Sequence, residues 1–431
     1  MSDKIYVADK PTLDSVNEKV SAILAIEKDE DVYGFVEHMD ILDPDERIEY
    51  IGLNKNFNPI TITMGGGYSL GDWATFPLLV NNKPYMVKSS GIVDYQLSET
   101  NYSKKADGET ASDVANTSYD GGAFSWLQKI YKKEYIVGSD RYVKFSLEPR
   151  DGYEAAGFID DTNNELEGVW IPMFYGASNG ASQNPKMLTV SGTQPVHSQT
   201  TAQEKTLIDN FAARGKFFGG AIINTIHDLL LLWGKTSNIQ DKYGYGNCNG
   251  YDSTLSPTYG VLANAIVGGG QFYGTGADDK KHLNKILHSI VLGSYQQWMR
   301  DPYTACVSGK VYVSKNYKYD ISTPANTYKN TGVVFAETLS GVYPHKYAVE
   351  PGFGKIPVVP CEGTSATGGC DGFWVNPGIT AVAGRFGSCS LDLFCGTGAL
   401  TLNGTATDAT WSIGAAVLLL PPAGTTPSVA A

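Results

Sequence analysis

The sequence predicts an α+β fold: strands and long loops around two central helices, with a short N-terminal helix or attachment segment ahead of the body. Three observations predict it. Short alternating or continuous apolar runs recur between turns rich in Gly and Pro. Two consecutive stretches, about 200–214 and 218–234, carry helical patterns instead. The composition agrees: 48 Gly and 26 Tyr with only 18% charged residues describe a loop-rich globular chain, and 42% apolar residues supply a core.

In chain order, residues 11–28 read as an amphipathic helix. Leu13, Val16, Val20 and Ile23 are spaced 3, 4 and 3 apart, a coiled-coil seam too short to be stable alone. The seam is expected to pack on copies of itself, with a trimer the first guess, or on an anchor protein. Charge thickens over 27–49, as in Asp43-Pro44-Asp45-Glu46-Arg47, and reads as a solvated connector; residues 1–60 are the attachment segment and 61–421 the body, with a flexible tail at 422–431. Arg47 to Gly52 alternates as a strand. Strand patterns follow at 91–97, 129–135 and 142–147, and 169–175 is an apolar run with an edge-type proline at Pro172. Ser198-Gln199-Thr200-Thr201 offers an N-cap, with Glu204 close behind. The next helix is apolar nearly all round, through Ile222, Ile226, Leu229–Leu232 and Trp233, so it should be buried at the centre. Residues 235–280 are a loop rich in Gly, Asn and Tyr, of the kind that carries function. Residues 286–298 read as a mostly buried segment.

Charge and motifs exclude several classes. Net charge is −12 and the Lys pairs at 104–105 and 132–133 are isolated, so no nucleic-acid partner is expected. Gly65-Gly66-Gly67 lacks the Gly-Lys-Ser/Thr of a phosphate loop. No signal peptide is visible, and the run Leu229–Trp233 is too short to span a bilayer, so no membrane insertion is expected. The six cysteines, at 248, 306, 361, 370, 389 and 395, form no CxxC; free thiols are expected, with loop disulfides 361–370 or 389–395 the alternative.

The C-terminal stretch 384–416 is the most informative. Gly384, Arg385, Leu402, Trp411, Ile413 and Gly414 look fixed, while Ser, Leu, Asp, Phe, Thr and Asn fill the positions between. A strand does not normally mix such types on one face, whereas a display surface can.

Three patches together carry a resemblance. They are Lys186–Pro195 followed by the helix pair ending at Trp233; His288–Trp298, with a Gly and a closing Trp; and the C-terminal stretch with Arg385, Trp411-Ser412-Ile413-Gly414 and Leu418–Pro421. Over about residues 80–421 the chain resembles the C-type-lectin-like domains of phage tail and adhesin proteins, which share the formylglycine-generating-enzyme-like fold. The last patch resembles the variable region of proteins diversified by retroelements that mutate adenines, such as the major tropism determinant. Thr401, Gly404, Asp408, Thr410 and Ser412 stand where Asn would stand in an undiversified repeat. The resemblance implies a receptor-binding protein or adhesin on the virion surface, meeting a host surface receptor, protein or glycan, through a variable region at 385–416. The expected contact residues are Ser388, Ser390, Leu391, Asp392, Phe394, Thr401, Asn403, Gly404, Thr407, Asp408, Thr410 and Ser412. The expected scaffold is Arg385, Trp411, Ile413, Gly414 and Trp298, with Trp411 and Ile413 anchoring the floor.

A structural virion component, such as a capsid decoration or head-fibre protein, is the alternative from another class. An oxidase of the formylglycine-generating type would need a copper-binding cysteine pair; Cys389 and Cys395 lie in that region but are six positions apart. No cofactor, metal or catalytic residue is expected. His282 and His288 lack the spacing of a zinc pair, His227 reads as a buried capped histidine, and Asp160-Asp161 with Glu165 and Glu167 as a solvated acidic loop.

Overall fold

The computed structural model describes residues 31–427. The helix expected over 11–28 and residues 428–431 of the tail lie outside the described residues. The α+β class holds: strand accounts for 30% and helix for 13%.

Among the described residues, the three largest of six sheets accompany one long helix. A four-stranded sheet runs in spatial order Ile48–Gly52, Tyr33–His38, Asp140–Ser146, Tyr131–Val137. A six-stranded sheet runs Gly215–Phe217, Val417–Leu419, Gly168–Pro172, Gly121–Gln128, Pro84–Lys88, Val93–Gln96. The eight-stranded sheet runs Lys329–Val334, Lys310–Val313, Trp298–Val307, Ala381–Arg385, Leu400–Leu402, Phe373–Val375, Leu339–Val342, with Ile413–Gly414 pairing beside Trp298. The C-terminal chain therefore leaves the largest sheet at Gly414 and joins the six-stranded one at Val417. Pro172 ends an interior strand, not an edge strand: it is the last residue opposite Phe124, so its missing N–H interrupts no continuing ladder.

The expected central helix spans Gly220–Gly234, and all of its residues are buried. An apolar sequence on every face needs partners on every face. It has them in the strands Ile48–Gly52 and Gly354–Pro357, the short helix Ile239–Tyr243 and the strand Trp298–Val307 of the large sheet. The preceding helix, Thr201–Phe211, starts on a capping box in which Thr200 accepts from the Gln203 N–H and Gln203 reaches back to Thr200. The expected Glu204 instead points inward.

Residues 33–52 are not a solvated connector as a whole: only the turn 40–46 is largely exposed. Two strands of the four-stranded sheet lie there, and Phe35, Glu37 and Arg47 are fully buried. Their charges are absorbed by a network against the central helix. Glu37 takes Arg47 Nε at 2.8 Å and Arg141 Nη1 at 2.6 Å; Arg141 continues to Glu134 at 2.7 Å and Asp228 at 2.5 Å; Lys132 joins Asp228 at 2.9 Å. Composition cannot distinguish this from a charged surface, because pairing that makes burial tolerable is set by tertiary contacts. All six cysteines are free thiols.

Candidate ligand-binding surface

The site is built where four strands of the large sheet converge. Trp298 pairs in parallel with Ile413, Arg300 lies opposite Gly384, and Gly384 lies opposite Thr401. A cleft of about 200 Å³ opens here, lined by Trp298, Arg300, Gly384, Thr401, Asn403, Gly404, Asp408, Thr410, Ser412 and Ile413, among others. Gly384 keeps the floor low: a Cβ there would meet Thr401 Cγ2 at 2.8 Å and the Trp298 ring at 3.4 Å.

The 403–412 loop over this cleft is held mainly through its backbone. Arg300 donates to the carbonyls of Gln199 at 2.8 Å, Thr405 at 3.4 Å and Asp408. Its Nε meets Glu204 Oε1 at 3.1 Å, and both side chains are buried. Burial outweighs this cation and pushes the Glu204 carboxyl up to about 8. Further backbone bonds run from Ser198 N–H to Thr410 O, Thr201 N–H to Ala406 O, and Trp298 N–H to Ser412 O. Carbonyls accept whatever side chain they carry, so the path of the loop depends little on its side chains. Side chains add local bonds: the Asp408 carboxylate accepts from the Thr405 N–H at 2.9 Å and hydroxyl at 2.8 Å, Thr401 donates to Asn403 Oδ1 at 2.5 Å, and the Thr410 and Ser412 hydroxyls are 3.0 Å apart.

Most expected contact residues fall into two neighbouring groups. Thr401, Asn403, Gly404, Asp408, Thr410 and Ser412 line the cleft, and Thr407 is exposed on the same loop. Ser390, Leu391, Asp392 and Phe394 sit on the adjoining loop, exposed or half-buried. Phe394 stacks on Tyr343 (centroids 4.6 Å apart, planes at 12°) and packs on Trp374, whose ring meets Trp298 edge-on at 5.4 Å. A ribbon of rings thus joins the two groups. Asp392 is tied to Lys280 at 2.9 Å. Ser388 is buried, its hydroxyl 3.1 Å from that of Ser390, and stands beneath the surface.

The scaffold residues divide differently from the expectation. Arg385 is buried and ion-paired with Asp301 through Nε at 3.1 Å and Nη2 at 3.0 Å, at the start of the central helix. Gly414 lies close against Gln297, whose Oε1 and Cδ a Cβ there would meet at 2.3 and 2.6 Å. The floor is Trp298, not Trp411. Trp411 is half-buried and packs on Tyr251 and Tyr259, each at 5.3 Å, in the loop after Cys248. Ile413 is half-buried and lines the cleft wall. Sequence reasoning missed Arg300, Tyr251, Tyr259, Tyr343 and Trp374. The Tyr-rich character of 235–280 was the available signal for two of them; nothing local marks Arg300.

The other chemistry-bearing groups are engaged within the fold. His227 Nδ1 meets Thr397 Oγ1 at 2.8 Å, and burial lowers its basicity. His288 lies buried between Tyr102 and the Asn82 carbonyl, with its pKa lowered to about 3 by burial. Asp160 closes a turn through Thr162 and Asn164, while Asp161 and Glu165 pair with Lys216 and Lys129. Burial pushes the Cys389 thiol up to about 12 and holds that of Cys395 well above its ordinary value, so both stay protonated. Among the described residues no group of three or more His, Cys, Asp or Glu is placed to hold a metal ion, and no helix is long and apolar enough to cross a membrane. Compared with models of known protein families and with characterised proteins, the chain matches none.

Proposed function

We propose that this chain is a receptor-binding or adhesin protein of a phage, with a C-type-lectin-like body that displays a diversified surface to a host molecule. One observation carries the reading. The 401–412 segment is fixed by strand pairing, by Arg300 and by bonds between backbone groups, while Thr401, Asn403, Thr407, Thr410 and Ser412 point into an open cleft or to solvent. Side chains in that position change without loss of fold, since surface substitutions away from special features stay within about 0.5 kcal/mol. Recognition of this kind needs no catalytic group. The Leu13–Ile23 seam supports association of copies, a trimer, or attachment to a virion anchor protein.

The encoding DNA tests the reading. A near-copy of codons 385–416 that differs at adenines, beside a reverse-transcriptase gene, is expected. Its absence from the flanking sequence removes the claim of diversification. Joint replacement of Thr401, Asn403, Thr410 and Ser412 by Ala is expected to leave the unfolding midpoint nearly unchanged and to abolish adsorption of the protein to sensitive cells. Undiminished adsorption removes the site.

A further inference from the structure

Building on that reading, we propose that the contact surface is composite: it extends from the cleft onto the loop 248–260, and it fits a protein partner that seats a single side chain in the cleft and packs its flank on Tyr251, Leu255, Tyr259 and Trp411.

The two loops form one face. The Tyr251 N–H donates to Cys389 O at 2.9 Å, and the Asp392 N–H to Cys248 O at 2.8 Å. The Tyr251 and Tyr259 rings lie parallel within 6°, 6.4 Å apart, and Trp411 packs against both. Tyr251 is 46% and Leu255 51% exposed, so an apolar edge faces solvent beside the cleft. The neck of the loop is pinned. Gly260 has φ +94°, its Cβ would lie 1.9 Å from Gly250 O, and Asn247 Nδ2 donates to Gly260 O at 3.0 Å. Rings fixed in advance lose little entropy when a partner arrives.

Size and charge select the partner. A cleft of about 200 Å³ is smaller than the roughly 300–1,000 Å³ that encloses a small-molecule ligand. It has room for one large side chain. The charged groups at the cleft and on the adjoining loop are already engaged: Arg300 by carbonyls and Glu204, Asp408 by Thr405, Asp392 by Lys280. Among the described residues, Arg300 is the one cation lining the cleft and it is engaged, so the cleft itself offers no free cation to an anionic sugar or phosphate; the exposed Lys281 lies near Asp252 on the loop side. Rigid Tyr and Trp anchors beside adaptable Ser, Thr, Asn and Gly form the chemistry with which antibody paratopes hold proteins, and buried aromatic anchors dominate protein interfaces.

The test uses the full chain and two probes: a displayed library of random constrained peptides, and an array of neutral glycans. Selected peptides are titrated against wild type, Thr410→Trp, which fills the cleft, and Tyr251→Ala and Leu255→Ser, each checked by thermal unfolding. The expected result is peptide binding weakened at least tenfold by Thr410→Trp and by both loop variants. Peptides lost with Thr410→Trp alone overturn the composite surface and leave the display reading intact. Peptides indifferent to every variant, or no selected peptides, overturn the proposal. If glycans bind and are lost with Thr410→Trp while peptides are not, the protein partner is wrong and the cleft remains a recognition site.

Discussion

Arg300 shows how one side chain sets the conditions for a whole surface. Its fork spans three carbonyls and a carboxylate, a geometry that planar guanidinium supplies and the point charge of Lys does not. Arg300→Ala strips donors from three carbonyls and from the Glu204 carboxyl, and a buried acceptor left unpaired costs about 1–3 kcal/mol. Denaturant unfolding is expected to show that loss, and limited proteolysis to show new cleavage within 403–412. Arg300→Lys is expected to fall between wild type and Ala. Asp371 gives a pH prediction. Burial pushes its carboxyl up to about 7, near Lys355 and His227, while it accepts from the Gly398 N–H at 2.8 Å. The folded chain holds this proton more tightly than the unfolded chain, where the ordinary value is 3.8. Its contribution to stability is full below about pH 4, is lost as pH rises to about 7, and then levels off. At about 1.4 kcal/mol per pKa unit, the loss is on the order of 4 kcal/mol. Asp371→Asn removes it, so the stability difference between variant and wild type, followed by urea unfolding from pH 4 to 8, is expected to shift in favour of Asn as pH rises. A pH-independent difference counts against the assignment.

At the scale of elements, the central helix and the capped helix before it behave as their sequences require. The Gly220–Gly234 helix is closed in on every side, so Leu230→Ala opens a cavity with little chance of collapse; a loss of about 2–5 kcal/mol is expected in denaturant unfolding. Thr200→Ala removes one half of a capping box, with an expected loss of about 1 kcal/mol. That cap lies beside the display loop, because the Thr201 N–H holds Ala406 O. The helix start was legible because the side-chain pattern of a cap is local. Its partner across the chain was not, because a bond between residue 201 and residue 406 depends on how the sheets place both. The same limit explains Trp411 and Trp298. Both read as fixed aromatics, but which one forms the floor depends on strand register: Trp298 is opposite Ile413 and over Gly384, whereas Trp411 precedes the strand and turns toward the Tyr251 loop.

For the whole molecule, the four-stranded sheet is part of the body. Residues 33–52 supply two of its strands and half of the Glu37–Arg47–Arg141–Asp228 network. Deleting residues 1–60 as a detachable segment is expected to yield a chain that does not unfold cooperatively by circular dichroism. Deletion of residues 1–30 keeps every one of these contacts, and its product is expected to melt cooperatively. Equal behaviour of the two truncations would sink this assignment.

By itself the sequence determined the α+β class, the buried helix, a helix start within 198–201 and the segment that carries the candidate surface. Each is written in local patterns: period, turn residues, or the alternation of fixed and mixed positions between Gly384 and Ala416. Tertiary structure alone decided that the strands Tyr33–His38 and Ile48–Gly52 are interior, that Ser388 is covered, that Trp298 is the floor, and that Arg300 holds the loop over the cleft. Those outcomes rest on residues tens to hundreds of positions apart meeting at one place. Such meetings are set by sheet order and register, and leave no mark on any single stretch of the chain.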